Sequence, residues 1–429
     1  MTRFAGIKGN RLCIISSEPI INQELEAMEL PTELDEVASV DLIGCKVIGG
    51  QVKCKAFNKP LSQMKIAFVG NWQMACGIST YNKHLFPEVA NGVEDFKLFA
   101  EKNDAPTGDI HQFGTQILRG DQLSICWKRG ESLQELAQEI DNYSPDIVLI
   151  SHEYGIFPHA GHWLSFLTQL SDYRVIVILH SVFPNHFDKM LYEAPMSEIV
   201  VHLEDARQNL MMEKKVNAKV SMIPHGCYSV VEDQSRLWNN YKSEHTFIQT
   251  GFSFHYKRFD HSVRATALLK DKYPDIFFTA ILAESPHNKS LHQAYHNFLM
   301  DLIVELGVQE NVGLIRGFQP DNIINTFLRS SRVAVFPYST IKNHECMGSS
   351  GSARLAMSCG LPVISSNIFH FKDLPTMRAD TPEEIAQALD QMFCSETLRR
   401  EQVNKQNQFI ETHSWQKVAQ QFLSLIENP

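Results

Sequence analysis

A rhythm of short apolar runs constrains this chain more than any other feature. From Met64 onward these are KIAFVGN, DIVLIS (146–151), RVIVILH (174–180), EIVVHL (198–203) and KVSMIP (219–224). Between them lie stretches with helical spacing, such as GISTYNKHLFPEVA, SLQELAQEIDNY and EDARQNLMMEKK. A second set follows: TFIQTGF (246–252), DIFFTAIL (275–282), NVGLIRG (311–317), RVAVFPY (332–338) and LPVISS (361–366). Strands that are apolar throughout and alternate with helices belong in a parallel sheet covered on both faces. Single cores stop growing well below 429 residues, so two sets mean two doubly wound α/β domains. The two halves share this logic without repeating each other's sequence.

The polar, weakly periodic stretch 226–245 is the expected connector. The predicted organisation is an N-terminal extension over 1–63, a first Rossmann-like domain over 64–230, a second over 231–410, and a closing helix, SWQKVAQQFLSLIEN, within 411–429. In the extension, RLCIISS predicts a short strand, and CKVI-GG-QVKCKAF alternates around Gly49-Gly50 as a hairpin does. Between Glu18 and Asp41 stand eight acidic residues and no lysine or arginine. That run is read as a solvated helix-and-loop face, with a partner-docking or self-association surface as the alternative.

Composition narrows the class. The chain is 44% hydrophobic and 21% charged with a net charge of −10, a balance that argues against broad binding to nucleic acid or anionic lipid. Nine scattered cysteines without C-x-x-C argue against a disulfide framework or zinc ribbon and for a reducing, cytoplasmic setting. The first residues lack the longer apolar core of a secretory signal, and no run approaches the ~20 apolar residues of a membrane span, which leaves peripheral contact as the expected limit.

Two doubly wound domains bring the carboxyl ends of both sheets to one cleft, where ligands of such folds bind. Residues just after the strands are therefore the candidates. Gly77 opens a helix after the first strand, and such a helix start offers free N–H groups and close backbone approach to an anion. Neither G-x-G-x-x-G nor a P-loop occurs. In the second half, Ser349, Ser350, Gly351 and Ser352 lie between RVAVFPY and ARLAMS. They are either an ordinary serine-capped helix start or a set of unobstructed donors for a phosphate or sugar hydroxyl. Lys257 and Arg258 follow TGFSF, and a lysine there can meet a diphosphate as a point charge. His152, with Glu153, follows DIVLIS, and His180 ends RVIVILH; each is a cleft group or a hydrogen-bonded core residue. His159 and His162 have a spacing permissive for metal but no fixed third ligand, so no metal site is assigned.

Taken in order, these segments resemble the retaining GT-B glycosyltransferases of carbohydrate family four. ACGISTYNKHL is similar to that family's CGIATY start, DIVLISHEYGIF to QHEYGIF, VILHSV to TLHTV, MIPHG to VIPHG, GFSFHYKRFD to GFISPYKGID, and SGSARLAMSCGLPVISS to SGVLAEALACGKPVIAT. The matches run from about Lys65 to Asp373 and leave the extension uncovered. The resemblance implies transfer of a sugar, a hexose by expectation, from a nucleoside-diphosphate sugar to an acceptor hydroxyl. Configuration would be retained, with no metal and no cofactor beyond the donor substrate. It implies Gly77 against the donor diphosphate, Lys257 neutralising the leaving group, His152 beside the donor sugar and His180 toward the acceptor. Arg258 and the 349–352 serines complete the expected donor contacts. The acceptor is a glycan, protein or small molecule. Two glutamates common in the family align with Met347 and Leu355, and a common arginine aligns with Phe252. Those departures keep open a non-catalytic GT-B subunit that binds a partner glycosyltransferase. An epimerase or sugar phosphorylase on the same fold is a further alternative.

Overall fold

Ile147–His152 and Arg174–Leu179 are buried at every position, which only the middle of a sheet covered on both faces permits. The computed structural model describes residues 59–185, 194–214, 216, 218–229, 244–340 and 345–428, together with the backbone of five strands within residues 4–54. Seven parallel strands build the first domain: β1 Lys65–Gly70, β2 Asp95–Glu101, β3 Leu123–Trp127, β4 Ile147–His152, β5 Arg174–Leu179, β6 Glu198–Val201 and β7 Lys219–Met222. Their order is β3-β2-β1-β4-β5-β6-β7. Six strands build the second: β8 Thr246–Phe252, β9 Phe277–Ala283, β10 Val312–Arg316, β11 Val333–Phe336, β12 Val363–Ser365 and β13 Met377–Arg378, ordered β10-β9-β8-β11-β12-β13. Both sheets reverse direction beside their first strand, and such a switch point opens a crevice at the carboxyl ends.

Eleven α-helices are described: α1 Gly77–Ala90, α2 Gln134–Tyr143, α3 Ala160–Gln169, α4 Glu204–Gln208, α5 Phe259–Leu269, α6 Lys289–Glu305, α7 Asp321–Ser330, α8 Gly351–Ser358, α9 Pro382–Cys394, α10 Glu396–Thr412 and α11 Trp415–Glu427. They cover both faces of each sheet, so each domain has two apolar clusters, one per face. No described helix is long and apolar enough to cross a membrane.

Three strands of these two sheets had no counterpart in the sequence reading: β2, β3 and β13. Strands β3 and β13 are sheet edges. Partly wet edges carry polar residues, as in LSICW, and lose the continuous apolar signature. The closing helix does what its spacing predicts, and on the far domain. Trp415, Val418, Phe422 and Ile426 form one stripe packed with Phe68, Leu85 and Phe86 of the first domain. Arg174, at the start of β5, donates to the carbonyls of Leu425 and Ile426 at 2.8 and 2.5 Å and lies 3.6 Å from Glu198. A buried guanidinium thus occupies the acceptor-rich C-terminal end of α11.

The domains also touch directly across the cleft. Ser181–Val182, just after β5, pairs antiparallel with Met347–Gly348, just before α8. Ion pairs Lys83–Asp321 (2.8 Å) and Lys372–Asp205 (2.5 Å) also cross between the domains. In the extension, Arg11–Ser16 is the expected strand, and Cys45–Ile48 pairs with Gln51–Cys54 in hairpin register, Ile48 opposite Gln51. Glu26–Glu29, expected within a helix-and-loop face, is instead a strand paired with Phe4–Ile7. The remainder of the acidic run and most of the 226–245 connector lie outside the described residues.

Candidate functional site

Four consecutive strands of the first domain each deliver a histidine to the cleft side: His152 ends β4, His180 follows β5, His202 follows β6 and His225 follows β7. Two of them, His180 and His202, form a hydrogen-bonded series with Ser151, and the His225 ring lies 5.6 Å from that of His202. His202 Nδ1 lies 3.0 Å from the Ile223 carbonyl, which can only accept, so the proton belongs on Nδ1 and Nε2 is left as an acceptor. His180 Nδ1–H then donates to His202 Nε2 at 3.4 Å, and His180 Nε2 accepts from the Ser151 hydroxyl at 2.8 Å. His225 donates through Nδ1 to the Gly226 carbonyl at 2.7 Å. Burial holds all of them neutral at pH 7. His202 is lowered to about 4, and His180 and His225 are well below their ordinary value, their mutual charges adding to the desolvation. The Tyr81 ring touches His180, His202 and His225 at 4.5 to 5.2 Å, and its buried hydroxyl has no hydrogen-bond partner among the described residues. His152 stacks on Phe157 (5.5 Å) and lies 4.7 Å from Trp163, and burial lowers it to about 3.

Beside His152, Glu153 accepts from the Ser181 hydroxyl at 2.6 Å and from the Tyr154 N–H at 3.0 Å. Burial pushes its carboxyl up against those two bonds. Gly77 is exposed at the start of α1, and a Cβ there would meet no atom of the protein within 4 Å. His159 and His162 stand 5.2 Å apart, lining a small crevice with Lys128. Among the described residues no third metal-ligating side chain joins them.

The second domain supplies the opposite wall. Strand β8 carries Gly251 one residue before its end, with a φ of +149° that a side chain would strain. Lys257 follows on a short 3₁₀ turn, with its Nζ 3.6 Å above the centre of the Tyr338 ring and 5.0 Å from that of Tyr256. It forms no ion pair among the described residues, and burial lowers its ammonium to about 7. Arg258 takes the left-handed conformation (φ +54°) and is committed to Asp260 by two bonds of 3.1 and 2.8 Å. It therefore serves the start of α5 rather than standing free as a second cation. The serine loop divides its labour. Ser350 is the N-cap of α8, its hydroxyl accepting from Ala353 N–H at 3.4 Å, so the ordinary capping role expected of a serine there is real. Ser349 Oγ is buried and unpartnered, and Ser352 Oγ and Tyr338 Oη border Gly251. Gly351 faces His225: a Cβ there would lie 3.7 Å from its Nε2. Gly348 meets the first domain, its would-be Cβ 2.9 Å from the His180 carbonyl and 3.5 Å from Cys346 Sγ.

The geometry thus brings together His152, Glu153 and His180 on one wall and Lys257, Ser349, Gly351 and Ser352 on the other. Positions 347 and 355, where resemblance called for glutamates, are absorbed by packing: Met347 lies against the first domain's core and Leu355 against the second's. His202, Tyr338 and Arg354 were not among the sequence candidates. Arg354 is fully buried on α8, bonded to the Ser350 carbonyl and to Asp373. For His202 a signal existed, since DIVLISH, RVIVILH, EIVVH and KVSMIPH all end alike.

This architecture is the GT-B fold. HepE of Anabaena in complex with UDP superposes with a TM-score of 0.64 at 12% identity, over 85% of this chain and 100% of that one. Trehalose-6-phosphate synthase OtsA gives 0.66 at 13% identity, over 85% and 99%. Sucrose-phosphate synthase from Thermosynechococcus elongatus gives 0.61 at 14%, over 85% and 98%. Residues 230–411 match the family Glycosyl transferases group 1. No curated protein matches the chain in sequence.

Proposed function

We propose that the protein transfers a sugar, a hexose by preference, from a nucleoside-diphosphate sugar to an acceptor hydroxyl with retention of configuration. One observation carries this reading: a half-buried lysine at a strand's carboxyl end, without a carboxylate partner among the described residues, beside a loop of small residues that opens a helix. A partly desolvated cation with no counterion is costly unless an anion completes the site. Backbone N–H groups at the α8 start and the Ser349 and Ser352 hydroxyls would share a diphosphate's charge with Lys257. As the glycosidic bond breaks, charge grows on the β-phosphate, and donors already aimed there stabilise the transition state more than the ground state. The donor brings its own leaving group, so no cofactor or metal enters the scheme. That HepE is in complex with UDP, and with UDP-glucose in another structure, makes uridine the first base to try.

The test is calorimetric titration of UDP, GDP, ADP and CDP and their glucose conjugates into wild type and Lys257→Ala. The expected result is one base binding in the micromolar range, with affinity down by about 10- to 100-fold in the variant. A folded protein that binds none of them sinks the reading. Retention is checked by the anomeric signature of the product by NMR. A second reading has one specific observation in its favour: Met347 and Leu355 are packed apolar residues where acidic donor contacts would stand. On that reading the chain is a non-catalytic GT-B subunit. Nucleotide binding without turnover under any acceptor supply would favour it.

A further inference from the structure

Lys257 is held in an unusual way. Lys257 is half-buried, and lysines withdrawn from water are ordinarily balanced by a carboxylate. Here the balancing surface is the face of Tyr338, with Nζ 3.6 Å from the ring centre, and no acidic group pairs with it among the described residues. A carboxylate in that place would have to be displaced by, or would repel, an incoming phosphate. A π-face attracts the cation through its quadrupole and leaves the outer side of the ammonium free.

The same side chain has a second unspent group. Tyr338 is 2% exposed, and its buried hydroxyl makes no hydrogen bond of full geometry among the described residues, with only the Ser350 and Ser352 hydroxyls within its reach. Orphaned buried hydroxyls are uncommon in folded proteins. A methyl added at Gly251 would lie 3.6 Å from this Oη and 3.9 Å from Ser352 Oγ, so the two hydroxyls border the bare strand end where a ligand's backbone approach is possible. The phenol's ionisation is pushed up to about 12 by burial, so it remains a donor across the usable pH range. Ser349 Oγ, also buried and unpartnered, lies in the same loop. The ring is wedged between Phe371 (4.8 Å) and Phe336 (6.1 Å), which fixes its orientation.

We propose that Tyr338 is a positioning residue of the donor site: its ring face holds the Lys257 ammonium at the diphosphate subsite, and its hydroxyl completes the loop's set of phosphate donors. The inference rests on the donor-site reading above. It also accounts for a single cation sufficing: with Arg258 tied to Asp260 and Phe252 at the end of β8, Lys257 alone supplies side-chain positive charge on this turn.

The experiment compares wild type, Tyr338→Phe and Tyr338→Leu in two measurements. The first is competitive acetylation of Lys257 across pH 5.5–10 read by mass spectrometry, which needs no ligand. The second is UDP-glucose affinity over the same range. UDP-glucose is the better probe because it lacks the terminal phosphate whose ionisation near 6 overlaps the lysine. Wild type should titrate near 7 and lose affinity above that value. Tyr338→Leu should lower the Lys257 midpoint by about one unit and cut affinity at pH 7.5 by roughly tenfold or more. Tyr338→Phe keeps the ring, so its midpoint should stay while affinity falls by roughly 3- to 10-fold at every pH. An unmoved midpoint in Tyr338→Leu, or an equal shift in both variants, overturns the role of the ring. Unchanged affinity in Tyr338→Phe overturns the role of the hydroxyl. If wild type binds neither UDP-glucose nor any other nucleotide sugar, the donor-site reading itself falls, and this inference with it, whatever the acetylation midpoint does.

Discussion

At the scale of single residues, the buried histidine series makes a claim about acid. His202 is lowered to about 4 against an unfolded value of 6.5. Between those values the unfolded chain binds more protons than the native one, so native stability rises with pH there and is fully present above about 6.5. His180 and His225 add to the same slope, both being lowered by burial. Melting temperature should therefore fall steadily from pH 6.5 toward 4, while above 7 the lowered Lys257 adds a further rise with pH; a flat profile between 6.5 and 4 would refute the neutral series. His202→Ala should cost about 1–3 kcal/mol at pH 7.5, because the His180 Nδ1–H loses its acceptor while still buried. The same variant should be less acid-sensitive than wild type. Sequence made His152 and His180 legible, since a histidine closing an apolar run is conspicuous. It did not separate their company. His202 ends EIVVH just as visibly, but its importance comes from a ring nitrogen 3.4 Å from His180, a relation that exists only once β5 and β6 are neighbours. Tyr338 was hidden for the same reason: PYST reads as a loop until Lys257, eighty-odd residues earlier, is stacked on the ring.

At the scale of elements, the closing helix α11 is the piece whose role could be read before the fold. Its stripe of Trp415, Val418, Phe422 and Ile426 required a partner surface, and helical spacing stated as much. Which surface was not legible, because nothing local records that α11 returns to α1 of the other domain. Trp415 sits 4% exposed against Tyr81, His84 and His225. Trp415→Ala should destabilise by about 3–5 kcal/mol, the usual cost of emptying a buried indole site, measured as a drop in urea midpoint. Gly226 shares that site, a Cβ there falling 2.3 Å from the Trp415 ring. Gly226→Ala should thus lower the midpoint as well, and pairing it with Trp415→Leu should recover part of the loss. Full additivity of the two single losses would mean that the glycine answers to something else. The missed strands β2, β3 and β13 teach the complementary point. Periodicity reports burial, which hides β3 and β13 at the wet edges, whereas β2 is interior and was missed because Asp95, Lys97 and Glu101 break its apolar run.

At the scale of the whole molecule, the question is what holds the two walls of the cleft together. Two kinds of contact are available, and their magnitudes differ. Lys83–Asp321 and Lys372–Asp205 are surface pairs, with side chains 33% to 55% exposed. Pairs of that kind contribute about 0–1 kcal/mol each and fade with salt. The ladder between Ser181–Val182 and Met347–Gly348 is different in kind. It joins the segment after β5 directly to the segment before α8, and Val182 at its centre is fully buried. Its geometry depends on Gly348, where a Cβ would approach the His180 carbonyl to 2.9 Å. That carbonyl is backbone at the end of β5 and has little room to retreat, so a side chain at 348 must push the domains apart. Gly348→Val is accordingly expected to increase the radius of gyration in solution scattering, weaken nucleotide-sugar binding by roughly tenfold or more, and leave the unfolding midpoint of each domain close to wild type. Lys83→Ala combined with Lys372→Ala should leave the scattering profile unchanged at 0.15 M salt. An unchanged radius in Gly348→Val, or an expanded double-lysine variant, would reverse the ranking and make closure electrostatic. A closed cleft held by backbone pairing rather than by charge would keep its geometry across ionic strength, which a transfer reaction that must exclude water requires.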